Sequence, residues 1–235
     1  SHRDHFGPMT VVLVITLAVV AAQWIGVSIT GSLALASDAS HQLTDALGIT
    51  LALIAARVAA RPPSPSRTFG YLRAEVISAV VHSVLIGAMC VGLGIESWRR
   101  WSSPAHVEGG IVMWFALVGL VANLAGVLVL IRTSRANLNV RAAFLDVSAD
   151  AATSAVVLVS AAVTELTGWT RVDIIASALI VVAILARTRG IVSEAVRILM
   201  EGAPMHLSAD DVRRLTLSVP SVTGVHATHV RSVNP

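Results

Sequence analysis

The chain has 235 residues, 55% of them hydrophobic and 13% charged, about half the charged fraction of an ordinary soluble domain. With a mean hydropathy of +0.77, this composition points to the bilayer as solvent and excludes a conventional soluble enzyme. The lone cysteine, Cys90, excludes an intrachain disulfide and a thiolate metal cluster. The net charge of +3 is carried by arginines, with no lysine, at the ends of apolar runs, which argues against nucleic acid as a partner.

Apolar runs fall at 9–30, 32–59, 73–97, 110–131, 141–165 and 172–193. Each is near or above the ~20 residues that cross a ~30 Å hydrocarbon layer as a helix. In lipid the backbone must satisfy its own hydrogen bonds, so these are expected to be six transmembrane helices. The first run is too long for a signal peptide and has no small-residue cleavage site followed by a soluble domain, so it reads as a retained span. Thr30-Gly31-Ser32 makes a tight first turn, and the proline-rich stretch 61–67 cannot continue a helix. Further breaks fall at 102–110, at 132–141 and at Thr167-Gly168-Trp169.

The arginines set the expected orientation. One side of the membrane receives Arg3, Arg57, Arg61, Arg67, Arg73, Arg132, Arg135, Arg141, Arg187, Arg189 and Arg197, and the other only Arg99, Arg100 and Arg171. The arginine-rich side is the cytoplasm, which places both termini there. The pair Arg99-Arg100 is a local exception. Three segments follow: a cytoplasmic tail at 1–8, a transmembrane domain at 9–193, and a polar cytoplasmic segment at 194–235. In the last, Ser208 is a candidate N-cap with Asp210 and Asp211 in the first helical turn, and 225–230 has strand-like alternation. One helix and one strand cannot bury a core, so this segment reads as the beginning of a truncated domain.

Ionisable side chains inside spans are costly and usually functional. The second run carries Asp38, His41 and Asp45, and the fifth carries Asp146 and Asp150. His41 and Asp45 are four residues apart, as are Asp146 and Asp150, so each pair shares one helix face. Two such faces opposed present one imidazole and three carboxylates, a donor set suited to a tetrahedral divalent cation whose charge offsets theirs. An isolated buried Asp could instead be a structural hydrogen-bond partner; two i,i+4 pairs in two spans favour a metal site. Asp38, three residues before His41, is either an outer-shell group orienting a ligand or a structural residue. Asp173 reads as a helix-start or interfacial residue and not a ligand, and Glu75, His82 and Asn123 as polar groups packed inside the bundle. His2, Asp4 and His5 resemble the end of a histidine-rich cytoplasmic tail that could collect metal, with a cloning remnant or a disordered tail as alternatives, and His226 and His229 are weaker metal candidates. The 61–67 loop has no metal ligand and is expected to hold no site.

Several segments together resemble the cation diffusion facilitator family of proton-coupled metal exporters, in its zinc, cobalt and cadmium resistance branch. They are Gly31-Ser32-Leu33-Ala34-Leu35 with Asp38, His41 and Asp45; Arg67-Thr68-Phe69-Gly70-Tyr71-Leu72-Arg73; Asn137-Leu138-Asn139-Val140-Arg141-Ala142-Ala143; and Gly224-Val225-His226. The resemblance implies an all-α six-transmembrane-helix bundle, followed by the start of an α+β ferredoxin-like cytoplasmic domain. It also implies a homodimer that exchanges cytoplasmic metal for protons by alternating access, with His41, Asp45, Asp146 and Asp150 as the transport site. The expected cargo is Zn2+, with Cd2+, Co2+ or Mn2+ as alternatives. The branch usually has histidine where Asp146 stands, and oxygen ligands shift the preference toward harder ions such as Mn2+. His82 stands where the family often has asparagine. Two other classes use similar residues. A membrane-embedded metallohydrolase needs an open coordination position and a general base, and the sequence has no His-Glu-x-x-His. A passive cation channel needs only an acidic ring.

Overall fold

A computed structural model describes residues 6–68, 70–103, 107–131, 138–204 and 207–232, with the side chains of 6–13 and 138–143 left aside. Its helices are α1 (Phe6–Thr30), α2 (Leu33–Ala59), α3 (Arg73–Ser102), α4 (Gly109–Ile131), α5 (Leu138–Thr167), α6 (Arg171–Leu199) and α7 (Ala209–Leu217). The first six match the six apolar runs. α2, α3, α4, α6 and the described part of α5 are each long and apolar enough to cross a membrane, and the described stretch of α1, Val14–Thr30, is apolar but shorter. Their breaks have local causes. Gly31 and Gly168 adopt φ values of +63° and +69°, a left-handed conformation that a side chain would oppose. Between α2 and α3 the prolines leave a turn closed by Arg67 N–H donating to Ser64 C=O at 2.9 Å.

The chain divides into two compact units, Ser1–Leu47 with Leu85–Ala186, and Gly48–Val84 with Arg187–Pro235. In the first, α1 packs on α4 and α4 along α5. Small residues set the approach: a Cβ on Gly26 of α1 would come within 2.6 Å of the Phe115 ring of α4. The apolar core of this unit includes Leu35, Ala116, Val157, Ala161 and Ile180.

The polarity of this unit is inverted relative to a soluble protein. Gln23, Ser37, Asp38, Asn123, Asp150 and Ser177 are buried, while Ile25, Ile29, Leu128, Val159 and Val182 are exposed. Side chains that hydrogen-bond face inward and alkyl groups face out, as a bilayer requires. Trp98, Trp101, Trp114 and Trp169 are exposed and fall next to the α3–α4 and α5–α6 turns, where interfacial tryptophans belong. The protein is a multi-pass membrane protein.

The arginine pair on the sparse side has structural work. Arg100 Nε donates to Glu96 at 2.8 Å, and its Nη1 donates to the Gly31 carbonyl. Arg100 thus accepts the helix-end dipole of α1.

In the second unit, Val76, Ala195 and Ile198 form a small core. Arg73 Nη2 and Arg231 Nη1 both donate to Glu201 Oε1, at 2.7 and 2.9 Å. The two guanidiniums, Arg73 foremost, hold the Glu201 carboxyl below its usual range. α7 begins where Ser208 predicts. Asp211 N–H donates to Ser208 Oγ at 3.1 Å and Ser208 N–H donates to Asp211 Oδ2 at 3.0 Å, a reciprocal capping box. The expected strand at 225–230 is not formed; those residues are irregular. A strand needs a neighbour for its ladder, and no described strand lies beside it. The ferredoxin-like domain is therefore not visible among the described residues. His2, Asp4 and His5, and part of the 132–141 connection, lie outside them.

Candidate metal centre

α2 presents His41 and Asp45 one turn apart, and α5 presents Asp150 beside them. His41 Nδ1 lies 3.6 Å from Asp45 Oδ1, and His41 Nε2 lies 3.9 Å from Asp150 Oδ1. Among the described residues these three form a cluster whose donor atoms all lie within 4.8 Å of one another, with His41 and Asp150 buried and Asp45 half-buried. Donors bound tetrahedrally at about 2.1 Å stand roughly 3.4 Å apart. With donors up to 4.8 Å apart, and the two carboxylates beside different ring nitrogens of His41, binding one ion requires the three side chains to draw together around a single nitrogen. An imidazole and two carboxylates inside the membrane suit a divalent transition metal and leave a fourth position open.

Asp146 is helical but exposed, and lies outside this cluster. A turn of helix separates successive i,i+4 positions by about 6 Å along the axis. In this conformation α5 meets His41 at the turn of Asp150 and not at that of Asp146. His226 and His229 are exposed on irregular chain and join no cluster of three or more ligand residues among those described.

Asp38 is fully buried and takes four hydrogen bonds. Thr153 Oγ1 donates to Oδ1 at 2.6 Å; Gln23 Nε2, Ser154 Oγ and Gln42 Nε2 donate to Oδ2 at 2.6, 2.9 and 3.2 Å. Of the polar span residues, Asn123 is buried and donates to Ser154 Oγ at 3.3 Å, whereas Glu75 and His82 are half-buried.

Asp173 starts α6 as expected, but its carboxylate serves α2. It accepts from Ser32 Oγ, from Leu33 N–H at 2.6 Å and from Ala34 N–H at 3.3 Å. It thus caps the helix that carries His41 and Asp45. Ser37 and Ser177 hydroxyls, 2.7 Å apart, join the same two helices further in. Sequence reading passed over Gln23, Thr153 and Ser154. Thr153 and Ser154 follow Asp150 by three and four residues, and that spacing, which puts them on its face, was the available signal.

Residues 9–200 match the cation efflux transmembrane domain. The cation efflux system protein CzcD of Alcaligenes sp. (strain CT14) is 33% identical over 234 residues, covering 98% of this chain and 74% of that protein. The zinc transporter ZitB of Escherichia coli (strain K12) is 35% identical over 218 residues, 92% of this chain and 70% of that one. A cadmium, cobalt and zinc/H(+)-K(+) antiporter of Bacillus subtilis (strain 168) is 29% identical over 239 residues, 99% of this chain and 77% of its own. A buried imidazole–carboxylate cluster in bilayer-length helices and a family match over most of the chain agree: the chain belongs to the cation efflux (cation diffusion facilitator) family.

Proposed function

We propose that this protein exports a divalent transition-metal ion, with Zn2+ the foremost cargo, from the cytoplasm in exchange for protons. The observation that carries this reading is the gathering of His41, Asp45 and Asp150 from two helices inside the membrane. Relatives named as zinc transporter and as cadmium, cobalt and zinc antiporter support the metal class. The mixed nitrogen and oxygen donors keep Cd2+, Co2+ and Mn2+ within reach. Asp146 is the fourth ligand in this reading, brought in by reorientation of its side chain and of the α5 turn that bears it.

The donor chemistry supports proton exchange. A metal ion needs the neutral imidazole of His41, and protons compete for the same lone pair. An imidazolium between Asp45 and Asp150 would balance part of the charge that a dication balances when bound. Metal leaving and proton arriving are then coupled at one group. The working unit is a homodimer in a bacterial cell membrane with both termini cytoplasmic, 9–193 forming the transmembrane domain and 194–235 lying in the cytoplasm.

The test is metal flux into proteoliposomes holding purified protein, whose dimeric state is checked by light scattering. Saturable Zn2+ movement that is driven by an opposing proton gradient and stops when the gradient is collapsed is expected. Non-saturating flux indifferent to the gradient would indicate a channel, absence of flux would favour a hydrolase, and a monomer would remove the dimer.

A further inference from the structure

Asp38 sits next to the metal centre and has no room for a metal, because four side-chain donors already fill both of its oxygens. Their placement is informative. The acceptor lies three residues before His41 on α2, and two of the donors, Thr153 and Ser154, lie three and four residues after Asp150 on α5. Three residues of helix rise by about 4.5 Å, so this tie joins the two ligand-bearing helices within a turn of the ligands themselves. Thr153 Oγ1 is also 2.9 Å from the Asp150 carbonyl and shares its proton between the two acceptors. Gln23 from α1 and Asn123 from α4, the latter through Ser154, brace the same carboxylate. Gly119 of α4 leaves the space: a Cβ there would stand 2.9 Å from Gln23 Nε2 and 3.5 Å from Ser154 Oγ.

Resting on the metal-centre reading above, we propose that Asp38 is a positioning residue that fixes the register of α2 against α5, and thereby the distance from His41 and Asp45 to Asp150. Metal sites tolerate only about ±0.2 Å in their bonds, so a helix pair free to slide loses affinity even while folded. A carboxylate that merely held the bundle together would change stability and leave the affinity of the folded protein alone.

The experiment measures Zn2+ affinity by calorimetry and melting temperature on the full chain, purified metal-free in detergent. Asp38→Ala, and Thr153→Val combined with Ser154→Ala, are each expected to weaken Zn2+ binding by at least tenfold, the size usual for outer-shell groups. Asp38→Asn is expected to recover most of it. Its amide oxygen can accept the three donors now on Oδ2, while its NH2 meets Thr153, whose hydroxyl can turn to the Asp150 carbonyl. Ile180→Ala empties a buried core position on α6, which carries no ligand, and should lower the melting temperature with affinity held within about twofold. Asp150→Ala reports on the underlying site and should abolish binding.

Parent-like affinity in both the Asp38→Ala and the Thr153→Val/Ser154→Ala proteins, with Asp150→Ala inactive in binding, overturns the proposal alone. So does an affinity that merely follows melting temperature across all variants, Ile180→Ala included. Parent-like binding by Asp150→Ala overturns the metal-centre reading and this proposal with it. If Asp38→Ala does not fold, the near-isosteric α5 pair decides.

Discussion

Asp146 and Asp150 are one turn apart on α5, and it is the Asp150 carboxylate that stands 3.9 Å from His41 Nε2. The i,i+4 rule finds the face of each helix but not which turns meet, because the crossing of two helices is decided by packing elsewhere. Asp146 therefore carries the clearest test at this scale. Asp146→Ala is expected to slow transport of every metal, by about tenfold or more, through loss of a ligand recruited during the cycle. Asp146→His is expected to favour zinc over manganese, since it exchanges a hard oxygen for a nitrogen. It should also add a group titrating near neutrality and so alter the pH dependence between about 6 and 8. Uptake of zinc, cadmium, cobalt and manganese into inside-out vesicles checks both variants. Parent-like uptake of all four by Asp146→Ala would limit the site to His41, Asp45, Asp150 and a non-protein ligand. That His41, Asp45 and Asp150 come together was legible in the sequence because ionisable groups i,i+4 on a span share a face that must turn away from lipid. The role of Asp38 was left open there, since its donors Gln23, Thr153 and Ser154 lie 15, 115 and 116 residues away.

At the scale of elements, the six long helices follow from hydrophobic length, and their ends from glycine, proline and serine. The cap of α2 does not. Its acceptor, Asp173, comes from 140 residues away, and no local rule links a helix start to the carboxylate of another helix. α7 is the opposite case, since Ser208 and Asp211 form their capping box locally and were visible as such. The Ser208 hydroxyl first, then its backbone N–H and Arg214, hold the Asp211 carboxyl down at about 2, from an ordinary 3.8. A carboxyl lowered in the folded chain stabilises it above the unfolded value and loses that contribution as pH falls through the folded one. The cap of α7 should thus be intact at neutral pH and weaken only between 3.8 and about 2. Titration of the Asp211 carboxylate by NMR should give a midpoint near the lower figure, and Ser208→Ala should move it back toward the upper one. A midpoint already ordinary in the parent would remove the capping box. The strand expected at 225–230 failed for the reason that favours α7: a helix turn satisfies itself, and a strand waits for a partner.

For the whole molecule, the inward placement of hydrogen-bonding side chains and the outward placement of alkyl ones accompany the family match over residues 9–200. The exposed tryptophans beside the α3–α4 and α5–α6 turns and the apolar helix faces describe a helical membrane protein, and the proposed function assigns its buried cluster to a divalent ion. The central claim is that His41, Asp45 and Asp150 hold that ion. X-ray absorption spectroscopy of the Zn2+-loaded protein addresses it most directly. The spectrum is expected to show one imidazole nitrogen with oxygen neighbours at about 2.0–2.2 Å, and the imidazole signature is expected to vanish in His41→Ala. A zinc shell without imidazole in the parent, or an imidazole signature that persists unchanged in His41→Ala, would contradict the account.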